Sequence, residues 1–201
     1  LCAKGIFDVA DAIGGDIIGL IADIFERRGA EAYAGEALTV AEHMLQTAAL
    51  AQAEGAPDTL VAAALLHDIG HFTSEFGEYS PEDTEDKRHD ESGATVLEAF
   101  FPPAVTACVR LHVAAKRYLC ATEPSYYDTL SAASKHSLAL QGGPMSGAEI
   151  AAFRRLDFYE DAVRLRRWDD SGKQVGLRTM TFGAFRPLLE GVLKKDFGLA
   201  A

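Results

Sequence analysis

The stretch Ala62-Ala63-Ala64-Leu65-Leu66-His67-Asp68-Ile69-Gly70-His71 decides the fold and introduces the chemistry. Alanine and leucine, both strong helix formers, run into three polar side chains able to hold a cation. On a continuing helix His67 and His71, four apart, lie one above the other on one face. Asp68 is then turned by about 100° from His67. A neutral imidazole offers one lone pair and a carboxylate offers two oxygens, so an adjacent His-Asp pair can begin a site for two metal ions. The plainer reading is a helix C-terminus, with Gly70 near the cap and His71 favouring the dipole.

Upstream, Gly55-Ala56-Pro57-Asp58 is a break, and Asp58 is expected to cap the helix that carries His67 and Asp68. Thr39 reads as the N-cap of a helix reaching about residue 54, with Glu42 completing a capping box. His43 falls in its first turn, on the stripe shared with Leu50 and Ala51. Tyr33-Ala34-Gly35-Glu36 is a short connection carrying two functional side chains. Before it, Val9, Ile13, Ile17, Leu20, Ile21, Ile24 and Phe25 keep helical steps over residues 8–28. Asp8, Asp11, Asp16 and Asp23 interrupt that run and no basic segment precedes it, so it reads as an amphipathic helix rather than a signal or membrane segment.

Downstream, residues 73–88 lose periodicity. They are dense in carboxylates and read either as a lid or as a solvated acidic connection. His89 opens a helix through Val96, Leu97 and Phe100. Pro102-Pro103 ends it and opens the next, where Val105, Cys108, Val109 and His112 point to a buried face and Lys116 follows His112 by one turn. Helices are expected around 127–139, 146–156 and 158–168, with Ser146 and Glu149 forming a second capping box. A last one covers Phe182 to Leu193, interrupted at Pro187. No stretch alternates at period two and no repeat is present, so the chain reads as all-α.

The length of 201 residues fits one domain, divided into an N-terminal helix (1–30), a core (31–177) and a C-terminal helix (178–201). A net charge of -11 argues against a nucleic-acid or anionic-membrane surface. It leaves room for an anionic small molecule in a locally basic pocket. Three cysteines without CxxC spacing suit a reducing, cytoplasmic setting and give no thiolate metal site. Leu1 in place of Met leaves the true N-terminus open.

Taken in order, His43, His67-Asp68, His89, His112 and an aspartate near the C-terminus form the series H…HD…H…H…D near the ends of successive helices. This resembles the HD-domain superfamily of helical metalloproteins, whose fold is a helical bundle around a central metal site. Tyr33-Ala34-Gly35-Glu36, the segment from His112 to Tyr118, Gln141-Gly142-Gly143-Pro144-Met145 and Arg166-Arg167-Trp168-Asp169 are similar to the mixed-valent diiron oxygenase branch of that superfamily. The resemblance covers roughly residues 33–173. It implies two iron ions, Fe(II)/Fe(III) in the active form. His43, His67, Asp68 and Asp169 would hold one, His89 and His112 the other, and Asp68 would bridge them.

By the same resemblance Tyr33 occupies the second iron until substrate displaces it, Glu36 meets the cationic end of the substrate, and His71 faces its phosphonate. Lys116, Ser134, Ser137 and Arg166 match positions around that phosphonate, with Ser137 standing where threonine is expected. The implied reaction cleaves the C–P bond of a hydroxyphosphonate with O2. The substrate would be 1-hydroxy-2-(trimethylammonio)ethylphosphonate or 2-amino-1-hydroxyethylphosphonate, giving glycine betaine or glycine plus phosphate, and a phosphonate hydroxylase would supply it.

Residue chemistry agrees. A phosphonate dianion needs charge-assisted donors, which Lys116, Arg166 and an imidazolium at His71 would provide. The ammonium needs a carboxylate or an aromatic face, with Glu36, Tyr33, Phe72, Phe76 and Tyr79 as candidates. The rival reading is an HD-type phosphohydrolase acting on a phosphate ester through metal-activated water. A third is a binding domain that keeps its ligands for stability. His136 reads as structural.

Overall fold

The computed structural model describes residues 16–28, 38–73 and 82–194. Tyr33, Glu36, Phe76 and Tyr79 lie outside the described residues, as does the first half of the N-terminal helix expectation. The described residues contain no β-strand. Among them no helix is long and apolar enough to cross a membrane.

Helix α1 (Ile17–Asp23) is capped by Asp16 and widens into a π-helical turn over Ile24–Arg28. Helix α2 (Val40–Ala53) starts with the expected capping box of Thr39 and Glu42. Helix α3 (Asp58–Leu66) begins at Asp58, but Pro57 occupies the N-cap and no side chain caps it. A proline N-cap supplies φ and ψ but no side-chain acceptor, which is why the expected Asp58 cap is absent. Helix α4 (Gly70–Thr73) follows after a turn, then α5 (His89–Leu97), α6 (Pro103–Thr122), α7 (Tyr126–Thr129) and α8 (Ala132–Leu140). Helices α9 (Gly147–Phe153), α10 (Tyr159–Ser171) and α11 (Phe182–Val192) complete the described chain.

Several sequence expectations shift. His67 and His71 do not share one continuing helix, because α3 stops at Leu66 and α4 restarts at Gly70. The expected helix 127–139 divides at Leu130-Ser131, where Ser131 caps α8 through the Ser134 amide. Helix α11 runs through Pro187 without interruption. Its buried face of Phe182, Phe185 and Leu189 packs on α3 and holds the helix together despite the missing N–H.

Helix α3 is the axis. Leu60 through Leu66 are all buried, as expected for a helix apolar on every side. Ala62, Ala63 and Ala64 are small enough for α2, α6, α10 and α11 to approach it together. Ile17, Ile21, Met44, Leu97, Val109, Leu165 and Phe185 close the main core around it. A satellite cluster of Leu119, Tyr126, Leu130 and Leu138 seats α7 and α8 against the end of α6. Five elements (α2, the α3–α4 turn, α5, α6 and α10) therefore meet at the C-terminal end of α3.

Candidate metal centre

The α3–α4 turn is built from tight i→i+3 bonds: Ile69 N to Leu66 O, His71 N to Asp68 O and Phe72 N to Ile69 O. It carries His67, Asp68 and His71 into the space between the neighbouring helices. Asp68 is 2% exposed and its two oxygens face opposite ways. Oδ2 lies 3.3 Å from His67 Nε2 and 3.5 Å from His43 Nε2. Oδ1 lies 3.5 Å from both His89 Nε2 and His112 Nε2. Asp169, from the last turn of α10, completes the first lobe with Oδ1 at 3.3 Å from His43 Nε2 and Oδ2 at 3.7 Å from His67 Nε2.

The tautomers follow from the hydrogen bonds. Nδ1–H of His43 donates to the Gly172 carbonyl at 2.9 Å, that of His67 to Ala64 at 2.9 Å, and that of His112 to Val109 at 2.7 Å. Each ring therefore presents an Nε2 lone pair inward when neutral. His43 and His67 then face each other Nε2 to Nε2 at 3.1 Å, and so do His89 and His112. For His43 and His67 the two Nε2 lone pairs are opposed when both rings are neutral, and at that distance they repel unless a cation lies between them. Asp68 Oδ2 and Asp169 Oδ1 are also buried without a hydrogen-bond donor. Orphaned carboxylate oxygens beside converging imidazoles are what a buried cation site requires. The nitrogen and oxygen donor set, without a thiolate, suits iron or manganese and also admits zinc.

Two donor groups are close enough to hold an ion each: His43, His67 and Asp169, and Asp68, His71 and His89. His112 joins the second lobe through its distances to His89 and Asp68. His71 Nε2 stands farther off, 3.9 Å from Asp68 Oδ1, with its ring stacked on His89 at 4.3 Å.

The electrostatics agree. Burial opposes charging His43, yet Asp169 and Asp68 together outweigh it and raise the imidazole to about 9. Burial also works against the charge of Asp68 and Asp169. The surrounding imidazoles hold Asp68 well below the usual carboxylate range, and Arg166 and Lys173 do the same for Asp169. His71 goes the other way: burial first, then the neighbouring imidazoles, lower it despite Asp68. The imidazolium expected at His71 is thus disfavoured by its surroundings.

Two glycine contacts set this geometry. A Cβ on Gly70 would lie 1.7 Å from the His89 carbonyl oxygen, so only glycine lets α4 cross α5 closely enough to bring His89 to Asp68. A Cβ on Gly172 would lie 2.6 Å from Thr47 Oγ1, and this close approach lets the Gly172 carbonyl reach His43. Gln46 locks the same joint with a two-way pair, Nε2 to Gln174 O at 2.8 Å and Oε1 from Gln174 N at 2.9 Å.

Beside the donors opens a pocket lined by His71, His89, Lys116, Ser134, Ser137 and Lys173. One wall is basic. Lys116, 3% exposed, donates to Ser137 Oγ at 2.8 Å, and Lys173 donates to Ser134 Oγ at 3.1 Å. Burial, with Arg166 and Lys173 nearby, lowers Lys116 to about 7. Arg166 also borders the cavity, with its Nη1 2.7 Å from Asp169 Oδ2. Glu85 and Asp86 form an acidic lip. The part of the acidic segment that is described is thus more than a solvated connection. It is tied to α8 by His136 Nε2, 3.2 Å from the Asp83 carbonyl oxygen, and by Gln141 Nε2 to Asp86 Oδ1 at 3.5 Å.

His43, His67, Asp68, His89, His112 and Asp169 converge as expected, and Lys116, Ser134, Ser137 and Arg166 line the cavity beside them. Sequence reasoning missed Lys173, whose one signal was its place a turn after Asp169, and missed Gln46, Gly70, Gly172, Tyr126 and Asp170 as parts of the site. Those residues act through backbone approach and buried side-chain pairing, which spacing does not report.

The HD domain family model matches residues 40–141, which contain five of the six converging donors. Over 191 residues the chain is 50% identical to a [1-hydroxy-2-(trimethylamino)ethyl]phosphonate dioxygenase (glycine-betaine-forming) from Leisingera caerulea, covering 95% of this chain and 97% of that one. It is 44% identical over 165 residues to a hydroxymethylphosphonate dioxygenase from Gimesia maris, covering 82% of each. An uncharacterised protein of Acanthamoeba polyphaga mimivirus is 30% identical over 178 residues, 86% of this chain and 80% of that one. With half its length matched by the family model and relatives aligned along most of the rest, the chain belongs to the HD-domain family.

Proposed function

We propose that this protein is a phosphonate dioxygenase whose substrate is 1-hydroxy-2-(trimethylammonio)ethylphosphonate and whose products are glycine betaine and phosphate. The observation that carries this reading is the 50% identity, end to end, with a relative of that activity. In the overall reaction both atoms of O2 enter the products. The carbon bearing phosphorus ends as a carboxylate, phosphorus leaves as phosphate, and a proton is released.

Two iron ions fit the donor set. His43, His67 and Asp169 with Asp68 Oδ2 would hold one, His89 and His112 with Asp68 Oδ1 the other. When bound, the pair supplies the redox chemistry that couples O2 reduction to C–P cleavage. The chain's own residues bind and orient. Lys116 and Lys173, each steadied by a serine, offer two charge-assisted donors to the phosphonate oxygens. Ser134 and Ser137 can turn their hydroxyls to a third oxygen. His71 is assigned to the same phosphonate oxygens. Glu36 is assigned to the trimethylammonium and Tyr33 to the iron position that substrate takes over. A hydroxylase installing the 1-hydroxyl is the expected supplier of substrate, and the cytoplasm the expected setting.

The test is phosphate release from the iron-loaded protein, with and without O2, given the trimethylammonio, amino and hydroxymethyl phosphonates. The expected result is O2-dependent release, fastest with the trimethylammonio compound. Phosphate release from a phosphate ester that is indifferent to O2 would replace this reading with the phosphohydrolase.

A further inference from the structure

Arg166 is 4% exposed, and both edges of its guanidinium are engaged by protein. Nη1 meets Asp169 Oδ2 at 2.7 Å. The other edge is taken by Asp170: Nη2 pairs with Oδ1, and Nε lies 3.1 Å from Oδ2. Nε also lies 3.2 Å from the Tyr126 hydroxyl, which itself donates to Asp170 Oδ2. Tyr126 is held in the apolar cluster with Leu119, Leu130 and Leu138. A guanidinium is planar, so fixing one edge fixes the direction of the opposite nitrogen.

We infer that Asp170 and Tyr126 are positioning residues that aim Arg166 at one oxygen of Asp169 and so leave the other oxygen for the first metal. The geometry carries this directly. Oδ2 of Asp169 is the oxygen that Arg166 occupies, while Oδ1 is buried, has no hydrogen bond and faces His43 at 3.3 Å, with Lys173 Nζ farther off at 3.6 Å. Without the Asp170 fork, Arg166 can turn its two-nitrogen edge onto Asp169 and take both oxygens. That pairing is the stronger one for Arg166 and the worse one for a metal. The brace reaches the donors only through Arg166 and Asp169, so its loss should weaken the lobe of His43, His67 and Asp169 and spare the lobe of His89 and His112.

This rests on the two-metal reading of the site, and metal binding itself tests it. Co(II) is titrated into metal-free wild type, Asp170→Asn and Tyr126→Phe, with competition by a chelator and the visible spectrum as readouts. Wild type should bind two ions. Asp170→Asn should keep one site at wild-type affinity and weaken the other by roughly ten- to a hundredfold, the usual cost of losing a group that orients a ligand. Tyr126→Phe, which keeps the fork, should show a smaller loss at the same site. A general packing defect would weaken both sites together, and that result overturns the inference, as does wild-type affinity at both sites of Asp170→Asn. Fewer than two ions in wild type overturns the inference together with the two-metal reading.

Discussion

Gly70→Ala tests whether one close backbone crossing holds the second lobe of the metal centre together. The new methyl carbon would stand 1.7 Å from the His89 carbonyl oxygen, 2.6 Å from its carbonyl carbon and 2.9 Å from Gly93 N. All three are backbone atoms, so no side chain can turn away. Because real Cβ contacts essentially never fall below 3.0 Å, α4 and α5 must part by about 1.3 Å or more. His89 is the first residue of α5 and moves with it. Its Nε2 now lies 3.1 Å from His112 Nε2 and 3.5 Å from Asp68 Oδ1. Metal–ligand distances tolerate only about 0.2 Å, so a shift above an ångström removes His89 as a ligand. Overpacking at such a point costs roughly 1–3 kcal/mol. Urea unfolding of the metal-free variant should show that loss as a lowered midpoint with an unchanged slope. Metal analysis after reconstitution should find one tightly held ion in place of two. Two tightly held ions and an unchanged midpoint would refute the reasoning, because the crossing would then open without moving His89.

Lys116 should make anion binding pH-dependent. Its folded pKa of about 7 lies below that of a free lysine, so the charge is present below 7 and lost as pH rises through it. Affinity for methylphosphonate, measured by calorimetry, should therefore fall between about pH 7 and 8.5, and Lys116→Arg should flatten that fall because arginine stays charged. Chelation should lower the melting temperature, since ions bound only by the native state stabilise it by about 2.7 kcal/mol at a hundred times their dissociation constant. A melting point indifferent to chelator would mean the donors hold no ion. Gln46→Ala removes both bonds to Gln174 and should cost about 1–3 kcal/mol by denaturant unfolding while leaving the His89–His112 lobe intact.

Helix content and the two capping boxes were legible in the sequence because each is a local or short-range pattern, and the donors were legible through the family resemblance. Helical steps of apolar residues, Thr39 with Glu42, Ser146 with Glu149, and histidines at helix ends all survive in one dimension. The order H…HD…H…H…D, with the family resemblance that picked out Asp169, named the residues that lie together here. It carried no information on how they would meet. The break after Leu66 replaced the expected single helix, and it is that turn which points the two oxygens of Asp68 into opposite lobes. The roles of Gly70 and Gly172 depend on what would strike a Cβ from another segment. Asp170 and Lys173 look like surface charges at the end of α10 until Tyr126 and Ser134 are brought over them. Residue type and spacing thus determined the helical class and offered candidate donors, because propensity and ligand chemistry belong to individual side chains, while the choice of Asp169 came from the family resemblance. Tautomer, the division of Asp68 between two lobes, and the depression of Lys116 came only with the tertiary structure, because each depends on burial and on a partner distant in the chain.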